Sequence, residues 1–200
     1  MTMTKQLSTN LFILFALVAI VSGFMAQSNH SMATFHPRPS MDIDPLWADH
    51  FDFPVGKPDG DGYYNAQKFG ENNHLGDDWN GLGAGNTDLG DTIYSMANGY
   101  LISAKDNGHG WGIVIMIQHY MKGYNKVNSL YAHCTEMFVS QPNQLIRRGD
   151  PIGTIGTAGG IYPAHLHFEM RHGLELPLGG GYSADTSGYI DPTAFINSHR

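Results

Sequence analysis

Short runs of apolar and β-branched residues, separated by Gly, Asn and Asp, recur along the second half of the chain. They occupy residues 93–95, 100–104, 112–120, 128–134, 153–159 and 164–170. Strand-sized runs at intervals of about 8 to 12 residues, bounded by turn formers, are typical of all-β domains. No long helical period lies between them, which argues against a parallel sheet with crossover helices. We therefore predict an all-β domain built on an antiparallel sheet.

The regions on either side of these runs have other patterns. Residues 47–69 mix aromatic and apolar residues with breakers such as Pro54 and Gly56, which favours short edge segments and loops that cover a core. Near the C-terminus, Asp191 and Pro192 precede a short apolar segment. Pro is well tolerated in a first helical turn and Asp is a good cap, so we predict a short helix that begins at Pro192.

The N-terminal part of the chain resembles an export signal. Lys5 precedes an uninterrupted apolar run at residues 11–26, which ends among small residues. The run is shorter than the roughly 20 residues of a membrane span. We predict a signal peptide over residues 1–26, with an uncleaved anchor as the alternative, and an arm or linker over residues 27–46. One domain is expected over residues 47–200.

The charge and the cysteine count of the sequence argue against some classes of function. The net charge of −7 and the lack of a basic cluster in the sequence argue against nucleic-acid binding, which depends on Lys and Arg at phosphates. We expect membrane contact only through the N-terminal segment. Cys134 is the single cysteine, so no intramolecular disulfide can form. An exported chain must then be held together by its core or by a metal.

The first candidate for chemistry is the pair His165 and His167 in a strand-like run. Side chains two apart in a strand point to the same face, and two imidazoles make a poor hydrophobic core. A His-x-His pair alone is more often structural than functional. The interpretation therefore depends on whether the chain supplies partners for the pair.

Partners of the right type occur upstream. His74 and Asp78 are four residues apart around Gly76, and an imidazole and a carboxylate are ligand types that zinc uses. A catalytic zinc needs three protein ligands, so one histidine of the pair would complete the set. The other, together with His133, would be free for proton transfer. The structural alternative is a polar turn in which an aspartate accepts hydrogen bonds from nearby backbone amides.

Taken in order, these motifs resemble the lysostaphin-type, or LytM-type, zinc endopeptidases. The matching segments are HLGDD at residues 74–78, Tyr-Ala-His ending at His133, GDPIGTIG at 149–156 and HLHFE at 165–169. The likeness extends over roughly residues 72–193. It implies an antiparallel β-fold with groove-forming loops. The ordered combination is more specific than any one motif.

The resemblance also implies residue roles. In that family the first His, the Asp four residues on and the second His of the pair bind zinc, which here are His74, Asp78 and His167. The two further active-site histidines correspond to His133 and His165. The complete motif set argues against the metal-free members that the family contains.

The function implied is a zinc metalloendopeptidase that hydrolyses peptide stems or cross-bridges of bacterial peptidoglycan, in a secreted or periplasmic location. No H-E-x-x-H motif occurs in the sequence, so a histidine is expected to manage the proton, since its ordinary pKa is near 6.5. One alternative is a non-catalytic module of the same fold that binds wall peptides or an envelope partner. Another is a zinc peptidase that acts on other Gly-rich proteins outside the cell.

We expect structural or supporting roles for the other residues with reactive side chains. We expect His119, at the end of an apolar strand, to be structural, and Cys134 to turn away from His133 and pack as a small hydrophobe. Glu169 and Asp191 are candidates for orienting the site histidines. The strand alternation places Glu169 on the same face as His165 and His167.

Overall fold

The computed structural model describes residues 47–200 except 84, 109, 124–125 and 173–175. The predicted signal segment, residues 1–26, and the predicted linker, residues 27–46, lie outside this range, so the domain boundaries stay predictions. No helix in the described part of the chain is long and apolar enough to cross a bilayer.

Strands dominate the described residues, and their bounds in chain order are β1 (Tyr63–Gln67), β2 (Asp77–Gly81), β3 (Thr92–Tyr94), β4 (Gly99–Asp106), β5 (Ile113–His119), β6 (Val127–Cys134), β7 (Glu136–Met137), β8 (Leu145–Ile146), β9 (Pro151–Thr154), β10 (Leu166–Arg171) and β11 (Tyr189–Ile190). A 3-10 turn spans Glu71–Asn73, and one α-helix, α1, spans Pro192–Ser198.

The strands described form two antiparallel sheets. The larger has the order β1-β2-β10-β6-β5-β4-β8, with β11 also paired to β10. The smaller has the order β3-β9-β7. Strands β4, β5 and β6 are sequential neighbours, whereas β10 enters between β2 and β6 from a distant part of the chain. This insertion makes β10, together with β6, an interior strand of the larger sheet.

The two central strands are buried along their whole length. On β10, Leu166, Phe168 and Met170 face the main hydrophobic core, which also contains Tyr131 of β6. Since strand side chains alternate, the intervening residues of β10 face the opposite side. That face carries His167 and the other polar side chains of the strand.

The fold class agrees with the sequence prediction. The domain is mostly antiparallel β-structure, and the predicted C-terminal helix begins at Pro192 with Asp191 as its cap, where the carboxylate accepts a hydrogen bond from the Ala194 amide. The region predicted to be edge segments contains β1, an edge strand of the larger sheet. The sequence analysis did not predict β2, whose polar DDWNG sequence lacks an apolar alternation.

Candidate metal centre and active site

Asp78 and His167 meet because β2 pairs with β10. The two residues are direct partners in the antiparallel register. His74 lies just before β2 and forms an isolated bridge with Tyr182. Side chains from segments far apart in sequence are therefore collected on one face of the sheet.

Three ligand-type atoms converge there. His74 Nε2 lies 3.0 Å from His167 Nδ1 and 3.3 Å from Asp78 Oδ1, and His167 Nδ1 lies 2.9 Å from the same oxygen. His74 and His167 are almost fully buried, with 1% and 3% of their surface exposed. Within the described residues, this is the one group of three or more His, Cys, Asp or Glu residues whose ligand atoms all lie within 4.8 Å of one another.

The spacing fits a zinc ion. Ligand atoms about 2.0 to 2.1 Å from a tetrahedral zinc lie about 3.3 Å apart, and the three distances here run from 2.9 to 3.3 Å. Two imidazoles and one carboxylate also form a three-ligand set of the kind that leaves a fourth position open. Nδ1 of His74 is buried and has no hydrogen-bond partner among the described residues, so His74 makes its polar contacts through Nε2. That these residues are ligands stays a prediction, which the geometry favours.

Electrostatics in the cluster favour a cation. Burial acts to raise the pKa of Asp78, but hydrogen bonds to His167 and His74 outweigh it and hold that pKa well below its usual range. Burial likewise acts to lower the pKa of His167, whereas hydrogen bonds to Asp78 and Glu169 raise it to about 9. Asp78 is therefore an anion at neutral pH, and binding of a metal at His167 requires loss of a proton.

Glu169 contacts the other ring nitrogen of His167. Its Oε1 accepts a hydrogen bond from His167 Nε2 at 2.9 Å, which leaves Nδ1 directed at His74 and Asp78. Glu169 was one of two residues that the sequence suggested for this role. The other, Asp191, instead caps α1.

The two adjacent aspartates have different tasks. Asp77 Oδ1 accepts a hydrogen bond from the Phe69 amide at 3.0 Å, and its Oδ2 accepts from the Thr193 amide at 3.1 Å and the Thr193 hydroxyl at 2.6 Å. Asp77 therefore ties β2 to the start of α1 and to the segment before the 3-10 turn. Asp77 thus satisfies backbone donors, as the polar-turn alternative expected of an aspartate, but it does so from strand β2 and toward other segments of the chain, while Asp78 faces the histidines.

His133 owes its direction to an irregularity in β6. Opposite two residue steps on β5, from Ile113 to Ile115, the pairing on β6 moves three steps, from Cys134 to Tyr131. His133 has a φ of 63°, a left-handed conformation that is uncommon for residues with a side chain. A bulge of this kind re-aims a side chain and is frequent next to active sites. The regular alternation assumed from the sequence therefore does not hold at His133.

His133 and His165 share a hydrogen-bonding arrangement. His133 Nδ1 lies 3.3 Å from the carbonyl oxygen of Trp111, and His165 Nδ1 lies 2.9 Å from that of Pro163. A carbonyl only accepts, so Nδ1 carries the proton in both rings and Nε2 carries the lone pair when the ring is neutral. Burial, followed by the nearby charges of His167 and His165, lowers the pKa of His133 to about 3. His133 is therefore neutral at physiological pH.

The two rings lie beside the metal-type cluster. The His133 and His165 ring centroids are 4.7 Å apart, and the His133 and His167 centroids are 5.5 Å apart. His165 Nε2 lies 3.8 Å from Asp78 Oδ1, farther than either proposed ligand nitrogen. His165 precedes β10 and bridges Gly156, so it lies at the entry of the strand rather than within it.

These side chains line one open groove of about 560 Å³. Its lining also includes Gln67, Trp111, Tyr162, Tyr182 and the glycines at positions 110 and 179–181. The Gly-rich stretch before Tyr182 borders this groove. The sequence analysis did not identify Trp111, Tyr182 or Gln67, because isolated aromatic and amide residues in loops carry no periodic signal.

His119 and Cys134 do not line the groove and have the structural surroundings expected for them. His119 is fully buried, with Nδ1 2.9 Å from the Asn98 carbonyl oxygen and Nε2 2.7 Å from the Ser129 hydroxyl. Cys134 packs in the main core, and burial raises the pKa of its thiol to about 12. A neutral buried thiol is a poor nucleophile.

Comparisons with known proteins identify the fold and the family. A solution structure of lysostaphin superposes with a TM-score of 0.56 at 20% identity, over 76% of this chain and 56% of that one, which establishes a shared fold. The DD-carboxypeptidase/endopeptidase Mpg of Neisseria meningitidis serogroup B is 35% identical over 82 residues. Those residues are 41% of this chain and 17% of Mpg.

A second relative is named for a different activity. The murein hydrolase activator EnvC of Escherichia coli is 33% identical over 93 residues, which are 46% of this chain and 20% of EnvC. The chain thus matches only a minor part of either relative. The model of peptidase family M23 matches residues 78–181. That range includes Asp78, His133, His165 and His167, and it begins four residues after His74. Because the match extends over half of the chain, this protein is a member of peptidase family M23.

Proposed function

We propose that this protein is a zinc-dependent endopeptidase that hydrolyses peptide stems or cross-bridges of bacterial peptidoglycan. The observation that carries the proposal is the convergence of His74, Asp78 and His167 at ligand spacing, with His133 and His165 beside them in the same groove. Membership of family M23 supports a peptidase domain. The substrate rests on the names of the relatives Mpg and EnvC.

In this proposal His74 Nε2, Asp78 Oδ1 and His167 Nδ1 hold the ion. When bound, zinc would polarise the scissile carbonyl group and lower the pKa of a water molecule toward neutrality. The burial of His74 and His167 keeps competing water away from their ligand nitrogens, while Asp78 is half-buried at the groove. The anionic Asp78 balances part of the metal charge, so the site retains net positive charge.

The proton chemistry is assigned to His133 and His165. Hydrogen bonds to the Trp111 and Pro163 carbonyl oxygens fix the tautomer of each ring, so that Nε2 is the atom that can accept a proton when the ring is neutral. One ring takes a proton from the attacking water, and a proton returns to the leaving amine as the peptide bond breaks. A ring that has become charged also stabilises the negative charge that develops on the carbonyl oxygen.

The groove suits an extended peptide. It is open, and the glycines at positions 179–181 and Gly110 let a substrate backbone approach close to the site. Trp111, Tyr162 and Tyr182 offer apolar surface for the side chains of a substrate. The export-like N-terminal segment supports an envelope or secreted location, where peptidoglycan is accessible.

A second function is a binding module that acts on a wall hydrolase instead of on the wall. The observation that favours it is the likeness to EnvC, which is named as a murein hydrolase activator. The intact set of ligand-type residues favours the peptidase, because a binding module has no need for three polar side chains, two of them buried, directed at one point.

The test is metal content together with digestion of purified peptidoglycan by the purified full chain. We expect about one zinc per chain, release of new amino groups, loss of release on chelation and recovery when zinc returns. A protein that holds stoichiometric zinc but releases nothing from several wall chemistries would support the binding module. A protein that does not retain zinc would contradict the proposed metal site.

A further inference from the structure

A buried ion pair lies directly behind the proposed metal ligand on the same strand. Glu169 and Arg171 follow His167 at alternate positions of β10, and both are 0% exposed. Arg is almost never fully buried unless it is paired. The pair therefore requires an explanation beyond general packing.

The three side chains form a continuous chain of hydrogen bonds. His167 Nε2 donates to Glu169 Oε1 at 2.9 Å, and Glu169 Oε2 accepts from Arg171 Nε at 2.6 Å and also contacts Arg171 Nη2. Both oxygens of Glu169 are thus used. The carboxylate fixes the proton of His167 on Nε2, which makes Nδ1 the atom available to a metal.

Arg171 extends this chain to the wall of the groove. Its Nη1 donates to the Pro177 carbonyl oxygen and its Nη2 to the Leu178 carbonyl oxygen, each at 3.2 Å. These residues lead directly into the glycines at 179–181 and Tyr182, which line the groove. We refer to residues 177–182 as the Gly-rich wall.

The Gly-rich wall is tied to the site at its other end as well. The Leu75 amide donates to the Gly181 carbonyl oxygen at 2.9 Å, and the Ser183 amide donates to the Asn73 carbonyl oxygen at 2.8 Å. Both bonds flank His74. Between the two ends, Trp111 Nε1 donates to the Gly179 carbonyl oxygen at 3.0 Å. The wall is thus connected to His74 through backbone hydrogen bonds and to His167 through the ion pair.

Glycines make this wall dependent on its ties. Gly179 and Gly181 have φ values of 69° and 76°, which glycine adopts without strain. Glycine also has the largest conformational freedom in an unfolded or detached segment. A stretch of three glycines has little intrinsic preference for one shape, so the side chains that bond to its carbonyls hold it in place.

We propose that Glu169 and Arg171 are positioning residues that couple the metal ligand His167 to the Gly-rich wall of the groove. Glu169 holds His167 in the orientation that presents Nδ1 to the metal. Arg171 holds Glu169 on one side and the Pro177 and Leu178 carbonyls on the other. The part that concerns the metal rests on the proposed zinc site, whereas the part that concerns the wall does not.

The first test replaces the carboxylate with its neutral isostere. Glu169→Gln should weaken zinc binding by about 10- to 100-fold, measured by competition with a chromophoric chelator. The visible spectrum of the cobalt-substituted protein should also change, since the ligand field senses the orientation of His167. Ser129→Ala is the matched control, because it removes a buried side-chain hydrogen bond from the same sheet, and the partner of that hydroxyl is His119 rather than His167, Glu169 or Arg171.

Glu169→Gln leaves the Arg171 charge buried without its partner, which can itself impair folding. The double variant Glu169→Gln with Arg171→Met removes both charges and avoids that problem. It should fold and still show the weakened zinc binding. Wild-type zinc affinity and an unchanged cobalt spectrum in both variants would overturn the role of Glu169.

The second test separates the wall from the metal. Arg171→Met keeps the contact between Glu169 and His167 but removes the donors to the wall. We expect faster cleavage within residues 177–182 by a nonspecific protease in the metal-free protein, and a higher KM with a smaller change in kcat in the zinc-loaded protein. Arg171→Lys, which keeps the charge but not the fork of donors, should restore these properties only in part.

The outcomes distinguish this inference from the proposed function. If the wild-type chain retains no zinc, the proposed metal site and the role of Glu169 both fail. Protease cleavage of the metal-free protein within residues 177–182 still decides the role of Arg171. A different outcome is that the wild type holds zinc and cleaves peptidoglycan, while Arg171→Met changes neither the rate at which a protease cleaves within residues 177–182 nor the KM. In that case the coupling to the wall is wrong and the proposed function stands.

Discussion

Two buried histidine environments in the same sheet differ in how their polar atoms are satisfied. At His119, each ring nitrogen has its own neutral partner, the Asn98 carbonyl oxygen and the Ser129 hydroxyl. In the groove, one nitrogen of His74, one nitrogen of His167 and one oxygen of Asp78 face one another. The first arrangement is complete, whereas the second converges on a point that a cation would satisfy.

Their protonation differs accordingly. Burial lowers the pKa of His119 to about 4, and the Asn98 carbonyl only partly opposes it. At His167 burial acts in the same direction, but two carboxylates outweigh it and raise the pKa to about 9. Burial of a histidine therefore does not by itself mark a functional site. Convergence of ligand atoms and contact with carboxylates are what separate the two regions.

The largest effect should follow from Asp78→Ala. The substitution removes the anionic member of the donor cluster and leaves two imidazoles, which are too few for the three-ligand set of a catalytic zinc. We expect the variant to lose zinc on gentle dialysis and to release no amino groups from peptidoglycan above the metal-free background. Metal analysis and the digestion assay on the same sample measure both.

His119→Ala serves as the control for Asp78→Ala, since it alters the other histidine environment and should leave zinc content unchanged. Equal, near-stoichiometric zinc in wild type and Asp78→Ala would show that Asp78 is not a ligand. Asp78→Asn, which keeps the shape of the side chain, distinguishes loss of charge from loss of a ligand atom.

A smaller effect is expected at the two histidines beside the cluster. His133→Ala and His165→Ala should each retain zinc and fold but lower the rate of cleavage by about a hundredfold to ten-thousandfold, the usual range for loss of an acid–base group. Zinc content, thermal midpoint and amino-group release would be measured together.

The neighbouring histidines on β10 and just before it provide the decisive contrast. His167→Ala should lose zinc, whereas His165→Ala should keep it, because His165 Nε2 is 3.8 Å from Asp78 Oδ1 and His167 Nδ1 is 2.9 Å away. If His165→Ala loses zinc and His167→Ala keeps it, the two assignments are reversed.

The smallest effect concerns stability at His119. The pKa of His119 is about 4 in the folded protein and about 6.5 in the unfolded chain. The unfolded state therefore binds more protons between these values, so the stabilising contribution of neutral His119 is present above pH 6.5 and is lost as the pH falls toward 4. The difference in pKa corresponds to about 3 kcal/mol of unfolding free energy.

His119→Gln tests this at constant volume and hydrogen-bonding type. In metal-free protein, the variant should be less stable than wild type at pH 7 by about 1 to 3 kcal/mol, and the gap should shrink as the pH falls from 6.5 to 4. Urea unfolding at several pH values measures the difference. A stability difference that is independent of pH would contradict the assigned protonation of His119. Separately, if the variant no longer bound zinc when zinc was added, the purely structural role of His119 would be wrong.

Much of the architecture was predictable because its causes are local. The strand-sized runs around β4, β5, β6 and β10 carry the alternation and turn residues that specify strands, and Asp191 followed by Pro192 is a helix-start signal. The polar strand β2 was not predicted, since it forms through its pairing with β1 and β10. The bulge at His133 was also missed, because the pairing with β5 creates it.

The sequence by itself determined the fold class and the order of the motifs, together with the shared face of His167 and Glu169, since each follows from residue types at short spacing. Only the tertiary structure decided that Asp78 is the register partner of His167, that Asp77 is a tether, and that Arg171 reaches the Gly-rich wall. Those facts depend on segments that pair across long stretches of chain, such as the separation of 93 positions between His74 and His167. Local preferences do not encode a distance of that kind, because it is set by how the whole sheet is assembled.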